Sequence, residues 1–446
     1  MNSARSWVVF CGAAFAYAVA VMQRTSFGVA GVDATDRFAV SAAVISTLAV
    51  VQIVVYAALQ IPVGVLADRI GAPPLIVGGA VVMALGQGLL AFADSAGVAL
   101  AARVLVGVGD AATFVSVIRL LPGWFEGPIV PQLSQWVGMT GQLGQIASAI
   151  PFALLLHAQG WTPAFLVAGA VGLLAAVVAL WLVRRGPERL TTGEIRAIDP
   201  GELGLRASLR RRGTQLGFWA HLLGGTVPTM LGILWGYPFL RAGLGYDPAT
   251  ASGVFVLMVV GTLVSGPVVG FVVARHPLRR SDLVLGITIA IFAIWTVVLV
   301  WQPLPPIWIV ALFFLAVGAG GPASLIGLDV ARSHNPRHSH GSATGIANSG
   351  AFVGGFVSML LVGVVLDVVD ELRVARGAAP ELYSLDGFRI AFVTVYLVAV
   401  AGAAGLLATR RHTRRRLYEE EGIVIAPLWV ALFGARGRRR PPRVRE

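Results

Sequence analysis

Twelve apolar stretches, each near the length a helix needs to cross a bilayer, constrain this chain more than any other feature. A spanning helix takes about 20 mostly apolar residues. The stretches fall at 7–30, 43–66, 74–94, 97–120, 135–157, 161–183, 216–240, 250–274, 282–301, 306–330, 342–367 and 387–408. The first is full length and lacks a small-residue cleavage site before a soluble domain, so it reads as a span, not a removable signal. Charged residues make up 13% of the chain, against about 25% in soluble domains. Such a surface suits lipid. The expected fold class is all-α integral membrane, in contact with the lipid bilayer.

Every one of the 34 basic residues is Arg, and the net charge is +12. In a soluble protein that excess would suggest nucleic acid. Here the Arg residues sit between apolar stretches, so topology accounts for them and no nucleic-acid partner is expected. With an even number of spans both termini share one side. That side carries Arg5, Arg69, Arg119, the run from Arg184 to Arg212, Arg275, Arg279, Arg280, Arg332, Arg337 and the tail from Arg410. The other side holds only Arg37, Arg241, Arg373, Arg376 and Arg389. The positive-inside rule then predicts cytoplasmic termini in the plasma (inner) membrane. The lone Cys11 lies in an apolar stretch and is uninformative about redox compartment.

The longest basic connection divides the spans six and six. The expected organisation is residues 1–183 as one six-helix bundle, 184–215 as a basic cytoplasmic linker, 216–408 as a second bundle and 409–446 as a basic tail. An internal repeat agrees with this split. Gly64-Val-Leu-Ala-Asp68-Arg69 follows the second span, and Gly270-Phe-Val-Val-Ala274-Arg275 follows the eighth, 206 residues later. At the same offset Gln142-Leu-Gly144 meets Asn348-Ser-Gly350. Two halves of this kind match a carrier built from repeats, with its site at their interface. In the tail, Ile423–Phe433 is too short to span. It reads either as an interfacial segment against anionic lipid or as a disordered tail.

Charge at membrane depth is expensive and usually has a partner or a task. Arg24 lies two-thirds along the first span; facing a cavity, its planar fork would suit a carboxylate or phosphate. The alternative is an anchor snorkelling to the outer interface. Arg103 and Asp110 share one face of the fourth span, two turns or about 10 Å apart, too far for a direct pair. A mid-membrane carboxyl able to gain and lose a proton is what a proton-driven carrier needs; the alternative is a helix-packing hydrogen bond. Asp68, facing the positive end of another helix, would act with Arg69 at a cytoplasmic gate, or as a static loop staple. Gly64 and Arg275, from the two repeat copies, are grouped with that gate. His221 would bind substrate or relay protons, against the plainer reading of a buried structural His. Tyr17, Tyr56, Gln142, Trp235, Tyr237 and Asn348 are candidates to line a cavity. Gly138, Gly141, Gly144, Gly345, Gly350 and Gly354 have the small-residue spacing of close helix contacts.

Residues 59–71, Leu-Gln-Ile-Pro-Val-Gly-Val-Leu-Ala-Asp-Arg-Ile-Gly, resemble the cytoplasmic loop signature of the major facilitator superfamily. Arg103-Val-Leu-Val-Gly-Val-Gly-Asp110 resembles its fourth-helix signature, and the likeness covers roughly residues 7–408. Gln23-Arg24-Thr25-Ser26, Gln60-Ile-Pro62, the Gly109-Asp110 step, Trp124-Phe125 and Gly160-Trp161 look like the organic-anion branch, the anion:cation symporters, and Gly345-Ile-Ala-Asn348-Ser-Gly350 is similar to that branch and to nitrate carriers. The loop departs from the pattern at Ala72 and Pro73, where a basic pair is usual, and at Ala274, where Asp is common in the second copy. The fifth span has no Gly-Pro step, a mark of many proton-driven exporters. The resemblance implies two pseudo-symmetric six-helix bundles in the major facilitator fold, with Arg103 in proton coupling or cavity organisation.

No Gly-Lys-Ser/Thr phosphate loop, nucleophile elbow or catalytic carboxylate pair is present, so neither direct ATP drive nor an enzyme is expected. His334, His338 and His340 lack the Cys or carboxylate that would complete a metal tract, and no metal or other cofactor is expected. The sequence therefore predicts a monomeric secondary transporter that moves a small anionic solute, an organic carboxylate or an oxyanion, by alternating access with proton symport. Arg24, Tyr17, Gln142, Trp235, Asn348 and His221 would bind, Asp110 and Arg103 would couple, and Asp68, Arg69, Gly64 and Arg275 would gate. The alternatives are a proton-driven drug or metabolite exporter and, from another class, a transporter-like membrane sensor or scaffold.

Overall fold

A computed structural model of the chain describes all residues except Met1, Ser41, 187–204, Pro380 and 422–446. Most of the linker and the apolar tail segment 423–433 lie outside the described residues. Twelve helices are long and apolar enough to cross a membrane: Ala4–Val29, Val50–Ile70, Ala72–Ala91, Ala96–Gly123, Ile129–Gln159, Trp161–Leu182, Arg212–Gly243, Pro248–Arg275, Pro277–Val300, Ile307–Ser333, Arg337–Ala375 and Leu385–Arg415. Each corresponds to one predicted stretch. The helical form is dictated by lipid, in which every backbone N–H and C=O must be paired within its own segment.

Lipid also decides which side chains stay outside. On the sixth span Leu173, Leu174, Val177, Leu180 and Trp181 are exposed, while Ala168, Ala175, Ala176 and Ala179 turn inward. Small residues thus face the neighbouring helices and large ones face the acyl chains. The first six spans pack as one bundle and the last six as another. The second bundle has an aromatic core, in which Trp295 stacks on Phe313 with ring centroids 5.3 Å apart. The bundles meet along two seams, the second span against the eleventh and the fifth against the eighth.

Helix ends differ most from the sequence expectation at the eleventh and twelfth spans. The eleventh helix runs His340–Ala375 and the twelfth Leu385–Glu421, beyond the predicted 342–367 and 387–408. Polar residues that form helices well continue each helix past the hydrocarbon, helped by the Arg415–Glu419 pair one turn apart at 2.7 Å. The eleventh stops before Gly377, whose φ of 81° suits glycine. Pro151 and Pro228 lie inside the fifth and seventh spans, and widened turns at Ser148–Phe152 and Leu231–Trp235 contain or follow them. Proline lacks the N–H that a regular helical turn requires.

Candidate functional site

The first, second, fourth and fifth spans bring their polar side chains to one central cavity of about 470 Å³. Tyr17, Arg24, Gln52, Tyr56, Arg103, Asp110, Gln142 and Gln145 line it, all from the first bundle. The second bundle contributes Gly232, Ile233 and Phe352, an apolar wall. At its centre Arg24 Nη2 donates to Asp110 Oδ1 at 3.1 Å, and Arg24 Nε lies 2.8 Å from Oδ2 in an ion pair without good hydrogen-bond angle. Asp110 is fully buried, whereas the Arg24 side chain is 27% exposed, through the cavity. The guanidinium also sits 5.1 Å from the Tyr56 ring centroid, a cation–π contact. Gly141 gives the Tyr17 ring its place, since a Cβ there would lie 3.0 Å from the ring edge.

Arg103 is held from behind. Its Nη2 donates to the carbonyl of Arg24 at 3.2 Å, and its guanidinium lies 4.7 Å from the Phe27 ring centroid. Its Nε and Nη1 have no hydrogen-bond partner, and neither does the amide of Gln52 or Oε1 of Gln142. Buried polar groups without partners are costly. In a cavity they are the groups a polar solute, or the water it displaces, would satisfy. Two guanidinium groups against one carboxylate leave the site one positive charge in excess, which favours an anion.

The cavity is sealed at the end of the molecule where the first helix begins and the twelfth ends, here called the termini end. Asp68 accepts from the backbone N–H of Gly341 and Ser342, each at 2.6 Å, and from Ser342 Oγ at 2.7 Å. It therefore caps the first turn of the eleventh span, where the helix dipole is positive. Arg119 reaches the same carboxylate at 3.2 Å and the carbonyl of Arg337 at 3.1 Å. Below this cap the second and eleventh spans touch backbone to backbone. A Cβ on Gly64 would meet the Gly341 carbonyl oxygen, and one on Gly345 would meet that of Gln60. Asn348 donates to Gln60 Oε1 at 2.6 Å. Beside the other seam the fifth span also meets the tenth, where Gln135 donates to the carbonyl of Pro322 at 3.0 Å, and Ser134 to Asp329 at 3.1 Å. Among the described residues, the hydrogen bonds between bundles all lie from this end to the middle.

The Major Facilitator Superfamily model matches residues 13–359 and 217–441, which together span nearly the whole chain. The chain is a member of the major facilitator superfamily. A protein of Cupriavidus necator named as a sulfoacetate transporter is 28% identical over 149 residues, 32% of this chain and 34% of that protein, so the match spans about a third of its length. An Escherichia coli protein named as an L-galactonate transporter is 22% identical over 380 residues, 81% of this chain and 83% of that one. The solved proton:xylose symporter XylE, bound to 6-bromo-6-deoxy-D-glucose, shares the fold, with a TM-score of 0.66, 15% identity and coverage of 92% and 96%. The chain is accordingly a multi-pass membrane transporter and not an enzyme.

Within this transporter the structure gathers Arg24, Tyr17, Gln142, Asp110 and Arg103 at the cavity. It places three other expected binding residues elsewhere. Trp235 is in the aromatic core of the second bundle, its Nε1 donating to the carbonyl of Met359 at 3.0 Å, because the widened turn after Pro228 rotates it away. His221 is buried between the seventh and tenth spans, with Nδ1 2.9 Å from the carbonyl of Ser324. Asn348 is in the seam, on Gln60. Tyr237 is 40% exposed and edge-on to Phe255. Of the expected gate, Asp68 and Gly64 lie in the seal. Arg69 is exposed, and Arg275 stacks over Phe271 at 4.1 Å, away from Asp68. Sequence reasoning missed Gln52, Gln145, Phe352 and Arg119. It also missed the Arg24–Asp110 pair, since the helix-packing bond it weighed for Asp110 named no partner on a neighbouring helix.

Proposed function

We propose that this transporter carries a small organic anion in symport with a proton, as a monomer, between the outside and the cytoplasm. The ion pair between Arg24 and Asp110 inside the cavity carries this reading. With Asp110 ionised, its carboxylate occupies the Arg24 fork and competes with any solute carboxylate. A proton on Asp110 removes that competitor and frees the fork, so anion and proton load together. Arg103, fixed to the carbonyl of Arg24, keeps the site positive whichever group Arg24 holds. Sulfoacetate and galactonate, named for two relatives, are both carboxylates, which supports an organic acid as cargo. Arg asymmetry supports cytoplasmic termini in the inner membrane. The seal at Asp68 is then the cytoplasmic gate, and the cavity faces outward in this state.

The test is uptake of a panel of radiolabelled carboxylates into proteoliposomes, with and without an imposed pH gradient. Arg24→Ala should abolish anion uptake, and Asp110→Asn should make solute binding independent of pH while uncoupling uptake from the gradient. Retained uptake in the first variant, or an unchanged gradient response in the second, refutes the corresponding role.

A further inference from the structure

A second cavity, of about 590 Å³, opens at the termini end between the bundles, remote from the Arg24–Asp110 pair. One wall, from the first bundle, is the connection before the fifth span and that span's first turn, including Pro128 and Pro131, and it carries no polar side chain. The other wall, from the second bundle, brings together Arg275, Arg280, Asp329, Arg332 and His340. Charge in this cleft is unbalanced. Arg332 and Asp329 neutralise each other in a contact pair, and Arg332 is further spent on the carbonyl of Ile118 and on Ser134 Oγ, both at 2.7 Å. Arg280 has Ser333 Oγ at 3.1 Å, and its buried Nε has no acceptor. Arg275 has the Phe271 ring. Among the described residues neither Arg275 nor Arg280 has a carboxylate within ion-pair distance. His340 is 8% exposed; its Nε2 is 3.0 Å from the carbonyl of Asn335, and its Nδ1 has no partner. The nearby carboxylate of Asp282 is taken by Arg410 at 2.5 Å and Arg414 at 3.0 Å.

Two guanidinium groups without a carboxylate partner, those of Arg275 and Arg280, line this one cleft, and Arg280 carries a buried Nε–H without an acceptor. We propose that this cleft binds a phosphate-type anion on the Arg275 and Arg280 guanidinium groups of the second bundle. A phosphate group offers several oxygens to two forks at once, and its charge of one to two matches the excess. The cleft lies at the boundary of the spans, where either a free phosphate or a lipid phosphodiester would reach it. The proposal goes beyond the transport reading and does not depend on it.

Hydrogen–deuterium exchange on the full chain tests it in three preparations: phosphatidylcholine nanodiscs alone, the same discs with inorganic phosphate, and discs containing phosphatidylglycerol. Occupancy should slow exchange in the second-bundle wall, 274–280, by roughly fivefold at about four times the dissociation constant. Protection by inorganic phosphate assigns a soluble source, and protection in the phosphatidylglycerol discs alone assigns the lipid. Arg280→Gln should remove the protection, and Arg275→Gln, at an exposed position, does the same should the first variant fold poorly. Arg24→Ala should leave it intact. No protection in either arm overturns the site, as does protection that survives both cleft variants or vanishes in Arg24→Ala.

Discussion

Replacing Asp68 by Asn should open the termini end of the transporter while leaving the fold in place. The carboxylate accepts four hydrogen bonds, from Gly341 N, Ser342 N, Ser342 Oγ and Arg119 Nε. Its side chain is only 10% exposed, so water screens these bonds little. Hydrogen bonds to a charged group contribute about 1.5–3 kcal/mol and neutral ones about 1. An amide keeps one acceptor, loses the charge and sets its NH₂ against a backbone N–H, donor to donor. The Arg119 bond is partly exposed and contributes less. The summed loss is about 3 kcal/mol. The three bonds from Gly341 and Ser342 exist only while the second span lies on the eleventh, whereas that of Arg119 stays within the first bundle, so nearly the whole loss falls on the closed state. Because about 1.4 kcal/mol is a tenfold change, the closed-to-open ratio should fall by roughly a hundredfold. Spin labels at Glu126→Cys and Leu278→Cys, on opposite bundles in a Cys11→Ala background, would report it as a new long-distance population in double electron–electron resonance. An unchanged distance distribution in folded protein would refute the reasoning.

Other substitutions separate the seal from the cavity and the core. Gly345→Ala sets a Cβ against the carbonyl oxygen of Gln60, so the same label pair should again show the longer distance; a wild-type distribution would mean that the backbone crossing is not tight. Gln52→Leu should change the melting temperature little, since its buried amide has no well-formed hydrogen bond to lose. Solute affinity should nonetheless fall about tenfold, the worth of one hydrogen bond to a charged partner, and a KM equal to wild type would remove Gln52 from the site. Trp235→Phe should do the reverse, lowering stability by about 1 kcal/mol through loss of its bond to Met359 with KM unchanged. A raised KM would return Trp235 to the solute path.

The twelve spans were legible because lipid imposes one rule on long stretches of chain, and apolar runs record it directly. Helix ends were less legible, since Arg410–Glu421 is polar and helical at once, and Asp367, Asp370, Glu371 and Arg373 break the apolar run of Asp367–Ala375 without breaking its helix; hydropathy reports the polarity alone. Arg24, Asp110 and Arg103 stood out as charges in apolar surroundings. Their pairing did not, because it joins the first span to the fourth, and spacing along one helix says nothing of its neighbours. Trp235 was misplaced for the same kind of reason: a regular helix predicts its direction, and the widened turn at Leu231–Trp235 changes it.

One pattern in the second span was present in the sequence and links the two parts of the site. Gln52, Tyr56, Gln60, Gly64 and Asp68 recur every fourth residue, interrupting an otherwise apolar helix. Residues four apart form a ridge inclined to the helix axis. Here the ridge starts in the cavity with Gln52 and Tyr56, crosses the eleventh span at Gln60 and Gly64, and ends at the cap made by Asp68. It covers about 24 Å by the helical rise. On the proposed reading, solute held beside Tyr56 and the bonds that close the gate thus act on one helix, Ala42–Ile70. A tilt of that helix small at the cavity is larger at Asp68, where hydrogen bonds of 2.6 Å tolerate little displacement. The first bundle can therefore bind the solute with its own polar groups and release the second bundle's eleventh span. The second bundle needs to supply only an apolar wall and a helix N-terminus.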